Sequence, residues 1–222
     1  MILTPFVPWP ADLVLLLASA SPRRAELLQV AGIPFEVLPA PDAEASEAAV
    51  VVSSANDDPA RYAQALATAK TEAVWRQKPE RLVLGADTVV VHAGEILEKP
   101  LDRIEAIRCL TRLAGQSHRV ITALCLRAGP IGTVWTGWEQ TTVEFLPLST
   151  ADIERYCDTG EPYDKAGAYG IQGYGSLMVR RIDGCYFNVM GLPLALLGQA
   201  LRHVLGENSP VQPGENDASD PE

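Results

Sequence analysis

The chain has 222 residues, a hydrophobic content of 47% and a formal net charge of −10 at pH 7. This length and apolar content are sufficient for one globular unit with a sizeable core. The negative charge argues against a protein that binds nucleic acid polymers or anionic membrane surfaces, because such binding depends on Lys and Arg that neutralise phosphates. No stretch reaches the ~20 consecutive apolar residues of a membrane-spanning helix.

The cysteines and the two termini indicate the compartment and the domain limits. The four cysteines are widely spaced without a C-x-x-C pair, which disfavours a zinc site or a disulfide framework and favours a reducing, cytoplasmic location. The apolar run at residues 13–17 does not predict a signal peptide, because no Lys or Arg precedes it and Asp12 adjoins it. Residues 207–222 carry five acids and no base. We therefore expect one domain over residues 1–206 and a disordered acidic tail over 207–222.

Strand-like and helical patterns alternate in the first half of the chain. The clearest signal is a helix with Ser21 as N-cap, Pro22 at its first position and Gly32 just past its end. A long segment rich in Ala, Ser and Asp follows and is expected to be a mobile flap or loop. The predicted elements are a strand over 13–18, the helix over 21–31, a strand over 33–38, the loop over 39–58 and a helix over 59–75.

The second half continues the alternation and indicates an α/β or α+β arrangement around a largely buried sheet. The predicted hairpin begins after Asp87, which would therefore lie where a strand breaks. The predicted elements are a strand over 82–85, a hairpin over 88–97, a helix over 102–113, strands over 118–127 and 133–146, a helix over 149–157, a loop over 161–175, paired strands over 177–182 and 185–189, and a helix over 192–205.

The segment 19–24, Ser-Ala-Ser-Pro-Arg-Arg, joins a buried strand to a helix start. A helix N-terminus presents unpaired N–H groups and a partial positive charge, which suit a phosphate. Arg23 and Arg24 oppose the helix dipole unless an anion or carboxylates neutralise them. This segment alone is equally compatible with two interpretations. One is an anion site that includes Ser21, and the other is a pair of arginines that are solvated or paired with surface acids.

Asp87 is a lone carboxylate among apolar residues. A buried carboxylate must be hydrogen-bonded, paired or metal-bound, because isolated burial favours its neutral form. Asp87 is therefore a candidate functional residue, and the alternative is a capping or turn aspartate. Exposed Glu and Lys side chains are usually solvated. A functional role is therefore indicated only if the structure brings together in one cleft Glu44, Lys70 and the Glu98-Lys99-Pro100 turn.

The segment 164–175, Asp-Lys-Ala-Gly-Ala-Tyr-Gly-Ile-Gln-Gly-Tyr-Gly, has glycines that let a backbone approach a ligand closely. It matches neither a dinucleotide-binding fingerprint nor a Walker loop. The Gln172 amide offers a donor and an acceptor that match the O4 and N3–H of a pyrimidine. The alternative is a glutamine in an ordinary hairpin loop.

Five ordered motifs together resemble the Maf family, over a span from about Leu15 to Leu205. The resemblance implies a mixed elongated sheet with flanking helices and two lobes around a deep cleft, similar to the inosine triphosphate pyrophosphatases. The motifs begin at Ser19 (Ser-Ala-Ser-Pro-Arg-Arg-Ala-Glu-Leu-Leu), Gly85 (Gly-Ala-Asp-Thr-Val-Val, followed by Glu98-Lys-Pro), Gly115 (Gly-Gln-Ser-His), Asp164 (Asp-Lys-Ala-Gly-Ala-Tyr-Gly-Ile-Gln-Gly) and Asn188 (Asn-Val-Met-Gly-Leu-Pro-Leu).

The resemblance also implies a hydrolase that cleaves a nucleoside triphosphate to the monophosphate and pyrophosphate with a divalent cation, Mg²⁺ or Mn²⁺. Asp87 matches the catalytic aspartate, as a general base or a metal ligand, and Glu44 matches an acidic position that handles the metal. Ala43 and Ala45 depart from the acidic neighbours that are usual there. The positions that match substrate-binding residues are Ser21, Arg24, Lys70 and Lys99, which hold the triphosphate.

Arg23, Thr88 and Gln172 resemble the trio of the dTTP/UTP subgroup, whereas the 7-methyl-GTP subgroup has Trp, Gln and Glu. The resemblance therefore implies house-cleaning hydrolysis of dTTP, UTP and modified pyrimidine triphosphates, by a homodimer. One alternative is a regulatory nucleotide-binding protein acting on cell division or septum formation, which would not need Asp87. Another is an RNA- or DNA-binding protein, which the negative charge disfavours.

Overall fold

A computed structural model describes residues 6–7, 9–40, 58–129 and 133–206 of the chain. Within these ranges, seven strands form one mixed sheet. Its strands lie in the order β2-β1-β3-β5-β6-β7, and β4 pairs with the end of β3. The strands are β1 (Leu15–Leu17), β2 (Phe35–Val37), β3 (Val83–His92), β4 (Glu95–Leu97), β5 (Ser117–Ala128), β6 (Thr133–Phe145) and β7 (Val179–Asp183).

Strand β1 runs parallel to β2 and β3, and the remaining pairs are antiparallel. The described helices are α1 (Pro22–Val30), α2 (Pro59–Gln77), α3 (Arg103–Leu113), α4 (Thr150–Asp158), α5 (Tyr186–Met190) and α6 (Leu194–Val204), with 3₁₀ turns at Glu161–Asp164, Ala166–Ala168 and Gly173–Met178. The fold is thus α/β with a mixed sheet and flanking helices, as the sequence predicts.

Local capping explains where several helices begin. The Asp58 carboxylate accepts hydrogen bonds from the first amides of α2, and Asp102 does the same for α3. Ser149 and Asp152 form a reciprocal capping box at α4. Gly32 has a φ of 67°, which suits the left-handed turn that follows α1.

Helices cover both faces of the sheet, and one face carries two apolar clusters. At one end, Leu84 of β3 and Leu124 of β5 pack with α1 and α6. At the other end, Val90 and Val120 pack with α3 and α4. Side chains along a strand alternate between the faces, so Thr88 lies between Leu84 and Val90 on this face. The two clusters leave a polar gap, and a cleft opens there.

The opposite face is covered by α2. Three alanines of this helix pack against Val89, Val91 and their β5 neighbours. Gly85 lies under α2, and a Cβ there would meet the carbonyl oxygen of Ala67 at 2.5 Å. The glycine therefore allows α2 to approach β3 closely.

Two predicted features are wrong. Asp87 does not lie at a strand break, because β3 continues through it and pairs it with Ala123 of β5. The predicted strand over 185–189 is helix α5, while β7 pairs with β6 instead. Residues 41–57 of the predicted 39–58 loop, which include Glu44, and the predicted tail at 207–222 lie outside the described residues.

The four cysteines form no disulfide. Among the described helices, none combines the length and apolar content needed to span a bilayer.

Candidate active site

A cleft of about 800 Å³ lies between the two apolar clusters. It is lined by the start of α1, the middle of β3, one residue of α2 and the segment 161–173. The structure brings together every predicted site residue within the described ranges; these are Ser21, Arg23, Arg24, Lys70, Asp87, Thr88, Lys99 and Gln172.

The start of α1 faces the cleft without a side-chain cap. Ser21 occupies the N-cap position, as the sequence predicts, but its side chain makes no capping hydrogen bond. Ser19 Oγ instead accepts from the Ser21 amide at 3.2 Å. The first helical amides are therefore open to a ligand, and an anion is the ligand that the helix dipole favours.

Arg24 is buried and joins three elements of the site. Its guanidinium donates to the Gly191 carbonyl oxygen at 2.9 Å, to Ser19 Oγ at 2.9 Å and to Thr88 Oγ1 at 3.2 Å. Burial lowers the pKa of Arg24, while nearby Asp87 counteracts part of this effect. Its positive charge therefore lies at the floor of the cleft with neutral hydrogen-bond acceptors.

Arg23 reaches across the cleft to the glycine-rich segment. Its Nη1 atom donates to Asp164 Oδ2 at 2.9 Å, and Lys165 Nζ donates to Asp164 Oδ1 at 2.5 Å. Burial works to raise the pKa of Asp164, but the hydrogen bonds from Lys165 and Arg23 outweigh it and the pKa is lowered. The Asp164 carboxylate thus neutralises the positive charge of Arg23, which would otherwise oppose the α1 dipole.

Asp87 is 9% exposed and faces α2. Lys70 of α2 donates a hydrogen bond to Asp87 Oδ1. The next residue, Thr88, points to the other sheet face, where its hydroxyl contacts both Arg24 and Thr122 Oγ1. Two consecutive residues of β3 therefore make contacts on opposite sides of the sheet, Asp87 with α2 and Thr88 with Arg24.

Lys99 and Gln172 line the cleft from its rim. Within the described part of the chain, neither side chain makes an ion pair or a hydrogen bond. Gln172 is exposed and lies between Gly170 and Gly175 in a tightly folded loop. Both side chains can therefore engage a ligand without losing a partner in this set of residues.

Charge in the cleft differs from charge on the whole chain. Among the described lining residues, Arg23, Arg24, Lys70, Lys99 and Lys165 outnumber the acids Glu26, Asp87, Glu161 and Asp164. A chain of net charge −10 thus presents a locally cationic cleft. Such focusing suits a small polyanion better than a nucleic acid polymer.

Three residues of this site had no assigned role from sequence. Ser19 Oγ accepts hydrogen bonds from the Arg24 guanidinium and the Ser21 amide. Glu161 accepts from two backbone amides of the glycine-rich segment, and Asp164 pairs with Arg23. Each belongs to or adjoins a motif that the sequence analysis singled out. The contacts of Glu161 and Asp164 join residues that are well separated in the chain, so spacing alone gave no sign of them. The contacts of Ser19 are local and lie within its own motif.

A cationic cleft that holds an open helix start and a buried aspartate defines an α/β protein with a site for a phosphorylated small molecule. Residues 14–204 match the family described as Maf-like protein. The chain therefore belongs to the Maf family, as its motifs indicated.

Three relatives from different bacteria have the same name. The protein named dTTP/UTP pyrophosphatase of Symbiobacterium thermophilum is 49% identical over 181 residues, which span 81% of this chain and 88% of the relative. The protein of that name from Bacillus velezensis is 45% identical, over 85% of this chain and 95% of its own. The Aquifex aeolicus protein, also named dTTP/UTP pyrophosphatase, is 41% identical, over 85% and 94%.

Proposed function

We propose that this protein hydrolyses dTTP and UTP to the monophosphate and pyrophosphate. The names of relatives that are 41–49% identical support this activity. The observation that carries the proposal is the convergence of Asp87, the open start of α1 and Gln172 on one cleft. Hydrolysis of a phosphoanhydride chiefly needs positioning and neutralisation of developing charge, and the cleft offers cations and backbone amides for both.

In the proposed reaction, the α1 amides, Arg24 and Lys99 hold the triphosphate. Water attacks one phosphorus of the α–β anhydride, its oxygen bonds to that phosphorus, and the bond from the same phosphorus to the bridging oxygen breaks. Asp87 accepts the proton of the attacking water, and pyrophosphate leaves. Lys70 contacts Asp87 directly, so it orients the carboxylate before substrate binds and neutralises phosphate charge in the complex.

The proposed cofactor is Mg²⁺ or Mn²⁺, held by Asp87 and Glu44. No group of three His, Cys, Asp or Glu side chains suited to a metal occurs among the described residues. The two carboxylates of Asp87 and Glu44 fit a hard cation that uses one or two carboxylates and completes its coordination shell with substrate phosphates and water. When bound, the ion would neutralise charge on the phosphates.

The proposed choice of a pyrimidine base depends on Arg23, Thr88 and Gln172. The Gln172 amide can donate to O4 and accept from N3–H, the pair that uracil and thymine share. Thr88 Oγ1 is held by Arg24 and Thr122. Thr88 would therefore act through the position of Arg24 and the width of the cleft.

We propose further that the enzyme is a cytoplasmic homodimer. The support is the family resemblance and the wide spacing of the four cysteines, which include no C-x-x-C pair. Light scattering of the purified chain should give twice the monomer mass, and a monomer mass would contradict the dimer.

The decisive experiment compares the wild type with Asp87→Asn on a panel of dTTP, UTP, CTP, GTP and dATP with Mg²⁺ or Mn²⁺. Pyrophosphate release should be fastest with dTTP and UTP. Asp87→Asn should lose at least ~100-fold in kcat, the usual scale for a positioned acid-base group. Asp12→Asn, which changes an exposed aspartate outside the cleft, is the matched control and should retain activity.

A ligand-induced shift in Tm separates binding from turnover. The Asp87→Asn variant should still be stabilised by dTTP, because the helix start and the cleft arginines remain. Stabilisation of the wild type by dTTP without any pyrophosphate release would overturn the enzymatic proposal and favour a regulatory nucleotide-binding protein. Turnover by Asp87→Asn at the wild-type rate would remove Asp87 from the mechanism.

A further inference from the structure

The loop over residues 170–175 carries Gln172 and is closed at its base. A Cβ on Gly175 would lie 2.1 Å from the carbonyl oxygen of Gly170, so the two ends of the loop touch. Only a glycine permits this approach. The position of Gln172 therefore depends on whatever holds these two ends.

Two side chains outside the loop hold its ends. Glu161 Oε1 accepts from the Gly175 amide at 3.0 Å, and Glu161 Oε2 accepts from the Tyr174 amide at 3.0 Å. Tyr156 of α4 accepts from the Gly170 amide at 3.2 Å and donates to Glu161 Oε1 at 2.9 Å. The pair thus binds backbone amides on both sides of Gln172.

The pair is itself fixed. Tyr156 is 6% exposed and packs in the second apolar cluster. A Cβ on Gly173 would lie 2.5 Å from Glu161 Oε2, so the loop wraps closely around the carboxylate. Charge-assisted hydrogen bonds from backbone amides are stronger than neutral ones. The base of the loop is therefore anchored to α4.

We propose that Glu161 and Tyr156 are positioning residues for recognition of the pyrimidine base, acting through the 170–175 loop. This inference rests on the proposed function. The two residues set the orientation of the side-chain amide of Gln172, which must align its donor and its acceptor with the edge of the base at the same time. They leave the phosphate-binding start of α1 untouched, so base recognition and phosphate binding are separable.

The test uses Glu161→Gln and Tyr156→Phe. The amide introduced by Glu161→Gln cannot accept from both the Tyr174 and Gly175 amides as the carboxylate does. Tyr156→Phe removes the hydroxyl that links Gly170 to Glu161. Glu154→Gln, which changes an exposed carboxylate of α4, is the matched control. For each protein, KM and kcat are measured with UTP, and inhibition constants are measured for CTP and inorganic tripolyphosphate.

Both variants should raise KM for UTP by about tenfold, the scale expected when a ligand hydrogen bond is misaligned. The kcat at saturating UTP and the inhibition constants of CTP and tripolyphosphate should change by less than about twofold. Equal weakening of UTP, CTP and tripolyphosphate would overturn the inference, since it would indicate general damage to the cleft. An unchanged KM for UTP in both variants would also overturn it.

Two outcomes need separate readouts. If Glu161→Gln fails to fold, as judged by circular dichroism, Tyr156→Phe decides the inference. If the wild type does not hydrolyse UTP, the proposed function fails, and Tm shifts induced by UTP and CTP then decide the inference alone. Loss of the UTP preference in the variants supports it, and retention of that preference refutes it.

Discussion

His118 makes the stability of the protein dependent on pH. It is 2% exposed, packs edge-on against Phe145 and Tyr169, and its Nε2 lies 2.7 Å from the Tyr169 hydroxyl. Its Nδ1 has no hydrogen-bond partner among the described residues. Burial lowers the pKa of His118 from 6.5 to about 3, with a smaller contribution from His92.

Because the pKa of His118 is lowered on folding, the free energy of unfolding decreases at acidic pH. Below pH 6.5 the unfolded chain binds a proton at His118 that the folded protein excludes, so folding loses stability as the pH falls toward 3. Above that window the contribution is fully present. The two pKa values correspond to a loss of about 2 kcal/mol between about pH 7.5 and about pH 5.

Urea unfolding of the wild type and His118→Gln at the two pH values measures this contribution. The substitution should destabilise the protein by roughly 1–3 kcal/mol at about pH 7.5, because a packed ring is lost. Its free energy of unfolding should then fall less on acidification than that of the wild type, by about 2 kcal/mol. The comparison cancels carboxylates that titrate in both proteins. Parallel acid profiles would refute a buried neutral histidine.

Two further substitutions test the packing that holds the site. Gly85→Ala should cost roughly 3 kcal/mol, because its Cβ would lie 2.5 Å from the Ala67 carbonyl oxygen. Turnover should also fall as α2 shifts. Gly198→Ala, which has space around its Cβ, is the control and should not destabilise the protein. Asn188→Asp should cost roughly 3 kcal/mol, because a fully buried carboxylate cannot donate to the Val120 carbonyl oxygen. Urea unfolding measures both effects, and a variant that unfolds at the wild-type urea concentration would contradict its prediction.

Much of the fold was predictable because local signals agree with tertiary packing. Pro22 occupies the first position of α1, as predicted, and the long strands β5 and β6 lie close to their predicted bounds. Strand β3 was divided in the prediction because Gly85 and Asp87 have low strand propensity. Both residues serve contacts with α2, and the continuous pairing of β3 with β5 through them outweighs their local preference.

Helix α5 was mistaken for a strand for a related reason. Residues 185–189 form a short apolar run, which periodicity cannot assign to helix or strand. Asn188 decides the outcome, because its side chain binds Val120 and Thr122 of β5 and Thr141 of β6 from inside the helix. These partners are more than forty residues away in sequence, beyond the reach of a local pattern.

The candidate site was more predictable by residue than by pairing. Its motifs identified the cleft cations and Asp87, but not that Asp87 pairs with Lys70 or that Asp164 pairs with Arg23 and Lys165. The pairing has a chemical consequence in the proposed reaction. Lys70 holds Asp87, and Asp164 holds Arg23 and Lys165, so an incoming triphosphate competes with these carboxylates for the same cations. As phosphate oxygens draw Lys70 away, Asp87 Oδ1 becomes able to accept a proton from water, which couples substrate binding to activation of the base.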